Sequence, residues 1–141
     1  MLTDTQIESF HDRGFLNAGT VLTPDEVQGL SDALDEIIEI GPEGYEQRER
    51  KPVIFRPLGG NAEQPVWQIV DAWYVSEAFE KLIKHPFVVN AIKQLTGFGD
   101  LQVWHDQVQY KPAHHGGATT WHQDAPLWPS IEPMTPVSAW I

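Results

Sequence analysis

The sequence contains no cysteine, only two methionines, and nine basic residues against twenty acidic ones across its 141 positions. Each scarcity excludes something. Without cysteine there is no disulfide, no iron–sulfur ligation and no thiolate zinc site. A formal net charge of -11 repels nucleic acid, and no basic cluster is present to neutralise phosphates. The run Glu46-Gln47-Arg48-Glu49-Arg50-Lys51 is mixed in sign and reads as a solvated loop. An anionic small ligand has to find a local cation, because the overall field opposes it. No apolar stretch approaches a membrane span. Met1-Leu2-Thr3-Asp4-Thr5-Gln6 has neither the basic start nor the apolar run of a signal peptide. A soluble, cytoplasmic protein is the default expectation. The glycine-bearing motifs of serine hydrolases, P-loop proteins and Rossmann domains are also missing.

What is present is enough for a core: 41% of residues are hydrophobic, and the length suits one domain. The first 99 positions read mainly as helix. Thr3 with Gln6 resembles a capping box, and Gly14 can end that helix. Thr23-Pro24-Asp25-Glu26 combines an N-cap, a proline at the first helical position and a glutamate at the third. Val27, Leu30, Leu34, Ile37 and Ile38 follow at helical spacing until Gly41-Pro42 stops the run. Residues 42–65 read as a long loop or lid with a possible short strand at Val53-Ile54-Phe55. Another short strand is expected at Trp67–Val70, then helices from Ser76 to Lys84 and from Pro86 to Thr96. After Gly99 the character changes. Strands are expected over Leu101–Tyr110, Thr119–Gln123 and Val137–Ile141, separated by loops rich in proline and glycine. Helices followed by antiparallel strands point to an α+β or mainly β domain, a β-barrel jacketed by helices.

The sharpest chemical feature is Trp121-His122-Gln123-Asp124. Alternate residues of a strand share a face, so a strand there projects His122 and Asp124 together. One imidazole and one carboxylate are two-thirds of the facial triad that holds non-haem Fe(II). Such a triad leaves open positions on the metal for a bidentate cosubstrate and dioxygen. On the preceding strand His105, Gln107, Gln109 and Lys111 fall on one face, opposite Trp104, Val108 and Tyr110. That polar face suits a strand lining a hydrated pocket; an ordinary half-exposed sheet has the same pattern. His105 is expected to be structural or to support the ligands. His114 and His115 occupy a turn-rich loop and read as a rim over the pocket rather than as ligands. Trp121, Trp128 and Trp140 lie near this motif in sequence, where flat apolar walls would position a substrate.

Taken in order, these pieces resemble the phytanoyl-CoA dioxygenase family of Fe(II)- and 2-oxoglutarate-dependent oxygenases. Gln6 to Phe15 resembles the family's opening helix and turn, and Leu22 to Val27 its second helix start. The run Tyr110-Lys111-Pro112, Gly116-Gly117, Trp121-His122-Gln123-Asp124 and Val137–Ile141 is similar to its metal-binding half. The resemblance implies a double-stranded β-helix, a cupin-like jelly roll with helices outside. It implies His122 and Asp124 as catalytic residues and iron ligands, with Gln107, Trp140 and Lys111 in cosubstrate-binding positions. It implies Fe(II), 2-oxoglutarate and O2 as cofactors and reactants, and hydroxylation of a small-molecule substrate coupled to oxidative decarboxylation. The carboxylate of Asp124 favours hydroxylation over halogenation, since related halogenases have a small residue there. The family's third iron ligand, a distal histidine, and its basic anchor for 2-oxoglutarate have no counterpart among these residues. The chain therefore reads as a single, truncated domain. Residues 1–99 form the helical jacket and lid, and residues 100–141 the first barrel strands; a missing carboxy-terminal part or another chain completes the barrel. Two rivals remain: a non-catalytic cupin-like barrel that binds metal or ligand, and a zinc-dependent hydrolase using His114 or His115 with His122 and Asp124.

Overall fold

A computed structural model describes residues 1–60 and 63–141 of the chain. Among these described residues, four helices, a three-stranded sheet and two short 3-10 turns make up the regular structure. Helix α1 (Asp4–Arg13) has the reciprocal Thr3–Gln6 capping box at its start and a left-handed Gly14 at its end. Helix α2 (Pro24–Glu46) starts on the matching Thr23–Glu26 box. The stop expected at Gly41-Pro42 is a kink: Gly41 leaves helical geometry at φ 67°, ψ 169°, and a last helical turn continues beyond it. Strands β1 (Ile54–Gly60) and β2 (Pro65–Val70) form an antiparallel pair. Part of the loop expected over residues 42–65 is thus strand, and positions 61 and 62 of it lie outside the described residues. A 3-10 turn (Ala72–Tyr74) leads to α3 (Glu77–Ile83) and α4 (Pro86–Thr96). Gly97 closes α4 in the left-handed conformation, as its place after Thr96 predicts.

Strand β3 (Gln107–Tyr110) pairs with β2, so β2 is central in the order β1-β2-β3. The cross-strand register puts Phe55, Ile69, Trp67, Val108 and Tyr110 on one face and Arg56, Gln68, Gln107 and Gln109 on the other. The first face packs against α2, where Ile37 and Tyr45 are buried with Ile69, Ala72 and Phe79. Phe55 stands edge-on to Trp67 at 5.0 Å and tilted to Tyr45 at 6.2 Å. Ile69 has no exposed surface, which stabilises the fold by roughly 1.5–3 kcal/mol for that side chain alone. The start of the chain is tied to α4, where Leu2 N–H donates to Gln94 Oε1 at 2.9 Å.

The strands expected after Gly99 form only in part. Of Leu101–Tyr110, only the last four residues enter a ladder; Thr119–Gln123 and Val137–Ile141 enter none. Residue type does not supply the neighbour that a ladder requires, and these segments find none among the described residues. The domain is α+β with one small antiparallel sheet. No described helix is long and apolar enough to cross a membrane.

Candidate metal centre

Strand β3 delivers Gln107 to the open face of the sheet. There Gln68 Nε2 donates to Gln107 Oε1 at 3.1 Å, while Arg56 Nε donates to Gln68 Oε1 at 2.9 Å. A polar line thus crosses all three strands. Arg56 and Gln68 are the members of this face that reading the sequence missed. The signal was the short strand expected at Val53-Ile54-Phe55, which runs on through Arg56, hidden by the charge and proline around it.

Beyond β3 the chain turns at Pro112, where His115 N–H bonds Pro112 O at 3.1 Å. It then folds back over the sheet. Gly116, at φ 98°, lies so close to β2 that an added Cβ would stand 3.1 Å from Val66 Cγ2. Only glycine combines that conformation with that approach. Lys111 closes the loop from below, with Nζ 3.0 Å from Gly117 O and 3.3 Å from Thr119 Oγ1.

The pair His122 and Asp124 follows. The segment that carries them is not a strand, which corrects the geometry expected from alternation. The two side chains nevertheless meet, with Nε2 of His122 3.5 Å from Oδ1 of Asp124, both about half exposed. Asp124 opens the 3-10 turn Ala125–Leu127, in which Leu127 N–H bonds Asp124 O at 2.8 Å. His122 Nδ1 lies 2.7 Å from Thr120 O. A carbonyl cannot donate, so Nδ1 carries the proton and a neutral ring keeps its lone pair on Nε2, beside the carboxylate. Two donors each about 2.1 Å from one ion stand roughly 3 Å apart at a right angle. The observed separation needs only a small side-chain adjustment to reach that. The pair fits two positions of a divalent metal, and a backbone carbonyl orienting the far ring nitrogen is the usual support for a metal-ligating histidine.

Among the described residues no third histidine, aspartate or glutamate joins them. His114 and His115 stay exposed in the turn, His114 at positive φ, so the hydrolase site imagined for them is not assembled. His105 packs edge-on to Trp128 at 5.6 Å, which draws the segment after Asp124 back toward the start of β3. Trp128 is therefore occupied by His105. Trp121 and Trp140 stand exposed, at 101% and 91%, and Trp140 is not brought to Gln107 or to the pair. Next to β3, Asp106 Oδ2 accepts the N–H of Trp73 at 3.2 Å, capping the 3-10 turn from 33 residues away. Burial holds its carboxyl above the ordinary aspartate value, and nearby Asp71 adds to this against the backbone hydrogen bonds.

The family model for phytanoyl-CoA dioxygenase (PhyH) matches residues 10–141. Among curated proteins, the chain is 32% identical over 81 residues to an L-proline trans-4-hydroxylase from Streptomyces griseoviridis. That alignment takes in 57% of this chain and 29% of the hydroxylase, so the chain spans under a third of that relative. No solved structure matches the chain.

Proposed function

The chain belongs to the phytanoyl-CoA dioxygenase family, and from that premise we propose that it supplies part of the active site of an Fe(II)- and 2-oxoglutarate-dependent dioxygenase hydroxylating a small organic substrate. The observation that carries this reading is the His122–Asp124 pair, 3.5 Å apart, with the far ring nitrogen held by Thr120 O. In this reading His122 Nε2 and Asp124 hold Fe(II). The metal, when bound with 2-oxoglutarate, supplies activation of O2 for hydroxylation coupled to decarboxylation. The protein's own part is to fix the imidazole tautomer, present a carboxylate beside it, and leave the outer side of the pair open to reactants.

Gln107, joined by the polar line to Gln68 and Arg56, lies on the open face of the sheet and is proposed to contact the cosubstrate. Lys111 uses two of its three N–H donors on Gly117 and Thr119, which leaves one for a carboxylate. Trp140 is proposed to reach the site once the barrel is closed. We propose that closure comes from strands beyond this chain, continuing from β3 into a jelly roll in which residues 100–141 are the first barrel strands and residues 1–99 the jacket. Those strands would bring the third ligand and the anchor of 2-oxoglutarate. The likeness to a proline hydroxylase supports an amino acid or similarly small carboxylate as substrate, and Arg56 is a cation on the appropriate face of an otherwise acidic molecule.

The test is succinate formed from 2-oxoglutarate by the complete enzyme, dependent on Fe(II) and on an amino-acid substrate. Asp124→Ala is expected to lower it by at least about a hundredfold, because one of three protein ligands is lost. Activity unchanged in that variant would remove the assignment. Metal binding without any turnover would favour a cupin-like binding module instead.

A further inference from the structure

We propose that Lys111 is a positioning residue, a tether that ties the loop bearing His122 and Asp124 to the sheet and so sets the orientation of the metal-binding imidazole. The inference rests on the reading of that pair given above. Among the described residues, no backbone hydrogen bond joins residues 116–123 to any strand. The segment 117–124 is also exposed throughout, so neither a ladder nor burial fixes its position. Lys111, the residue following β3, provides the connection. Its Nζ donates to Gly117 O at 3.0 Å and to Thr119 Oγ1 at 3.3 Å, six and eight residues along. Its Cγ and Cδ both lie 3.6 Å from the Cβ position of Gly116, which is also 3.1 Å from Val66 Cγ2. The side chain is thus engaged along its stem as well as at its head, unlike a lysine free in solvent. The next residue, Thr120, gives the carbonyl that accepts from His122 Nδ1 at 2.7 Å. The sequence of contacts is short: ammonium, Thr119, Thr120 carbonyl, imidazole. An ammonium on a carbonyl is a charge-assisted bond, stronger than a neutral one, and it acts where other restraints are sparse.

Lys111→Met keeps the stem and removes the donor; Lys111→Arg restores a cationic donor. Three readouts on the protein separate this role from a general structural one. Amide hydrogen exchange over residues 116–124 should accelerate in Lys111→Met while exchange in the helices stays unchanged. The ring 15N shifts of His122 should show the Nδ1–H form losing population. Co(II), followed by its shifts of the His122 ring protons, should need about ten times the concentration for half-saturation. Lys111→Arg should recover all three. Exchange and tautomer unchanged in Lys111→Met would overturn the tether, as would faster exchange spread evenly over the whole fold. A His122→Ala variant that binds Co(II) as wild type does would instead remove the metal reading, and the exchange and tautomer measurements would still decide the tether.

Discussion

The two parts of the molecule on either side of Gly99 obey different rules. Among the described residues, every buried apolar one, from Leu2 through Ile69 to Leu95, lies before it. After it come Trp104, Trp121, Leu127, Trp140 and Ile141, all exposed. The first part is built of helices, whose backbone bonds close within the element, and of a hairpin resting on α2. The second is built of strand-forming residues whose bonds must be made to something else. Apolar content alone therefore does not make a core; it needs elements that satisfy their own backbone or neighbours that do so. The candidate metal centre falls in the second part, which is joined to the first by the pairing of β3 with β2 and by Gly116 against Val66, while Lys111 on the loop and Trp128 against His105 brace it internally.

The contrast is broken most severely in the core. Ile69→Ala should lower stability by about 2–5 kcal/mol, since the side chain is fully buried and leaves a cavity against α2. Chemical denaturation followed by far-ultraviolet circular dichroism measures this. A smaller effect comes from the junction at Asp106, whose folded-state pKa is raised above the ordinary value of 3.8. A folded state that holds a proton more tightly than the unfolded chain loses stability as pH rises from 3.8 through the raised value. Glu26 and Glu80 work the other way. Hydrogen bonds from Thr23 hold Glu26 low and the Lys84 ammonium holds Glu80 low, so their contributions are present above 4.5 and fade as pH falls. Comparing the melting temperatures of wild type and Asp106→Asn cancels those two. The variant should gain on the wild type as pH rises from 3.8 through the raised value, and a constant difference would contradict the cause assigned to Asp106. The smallest effect is expected at Trp121→Ala, within about 0.5 kcal/mol, because the ring is fully exposed. A loss comparable to that of Ile69→Ala would mean the second part carries a core of its own.

Legibility in the sequence follows the same division. The capping boxes at Thr3 and Thr23, the break at Gly41, and the ends of α4 at Pro86 and Gly97 involve residues a few positions apart, so local chemistry sufficed. The helix start at Pro86 and its end at Thr96 are where the sequence places them. The extent of β3 and the unpaired state of Thr119–Gln123 depend on partners far along the chain, which periodicity does not specify. The meeting of His122 and Asp124 was expected for a reason that proved incomplete: alternation on a strand. A bond to Thr120 and the turn after Asp124 accompany that meeting instead. Asp106 as a cap for Trp73 joins residues 33 apart, and nothing near either one announces it. Arg56 was obscured because its strand is proline-bearing and on an edge, where proline is tolerated.

The central claim is that His122 and Asp124 act together as ligands of one metal ion. An anaerobic Mn(II) titration monitored by electron paramagnetic resonance addresses it most directly, on the wild type and on His122→Ala and Asp124→Ala. The account predicts that the wild type takes up one equivalent of Mn(II) and that each variant loses that binding. Uptake by both variants equal to that of the wild type would contradict it.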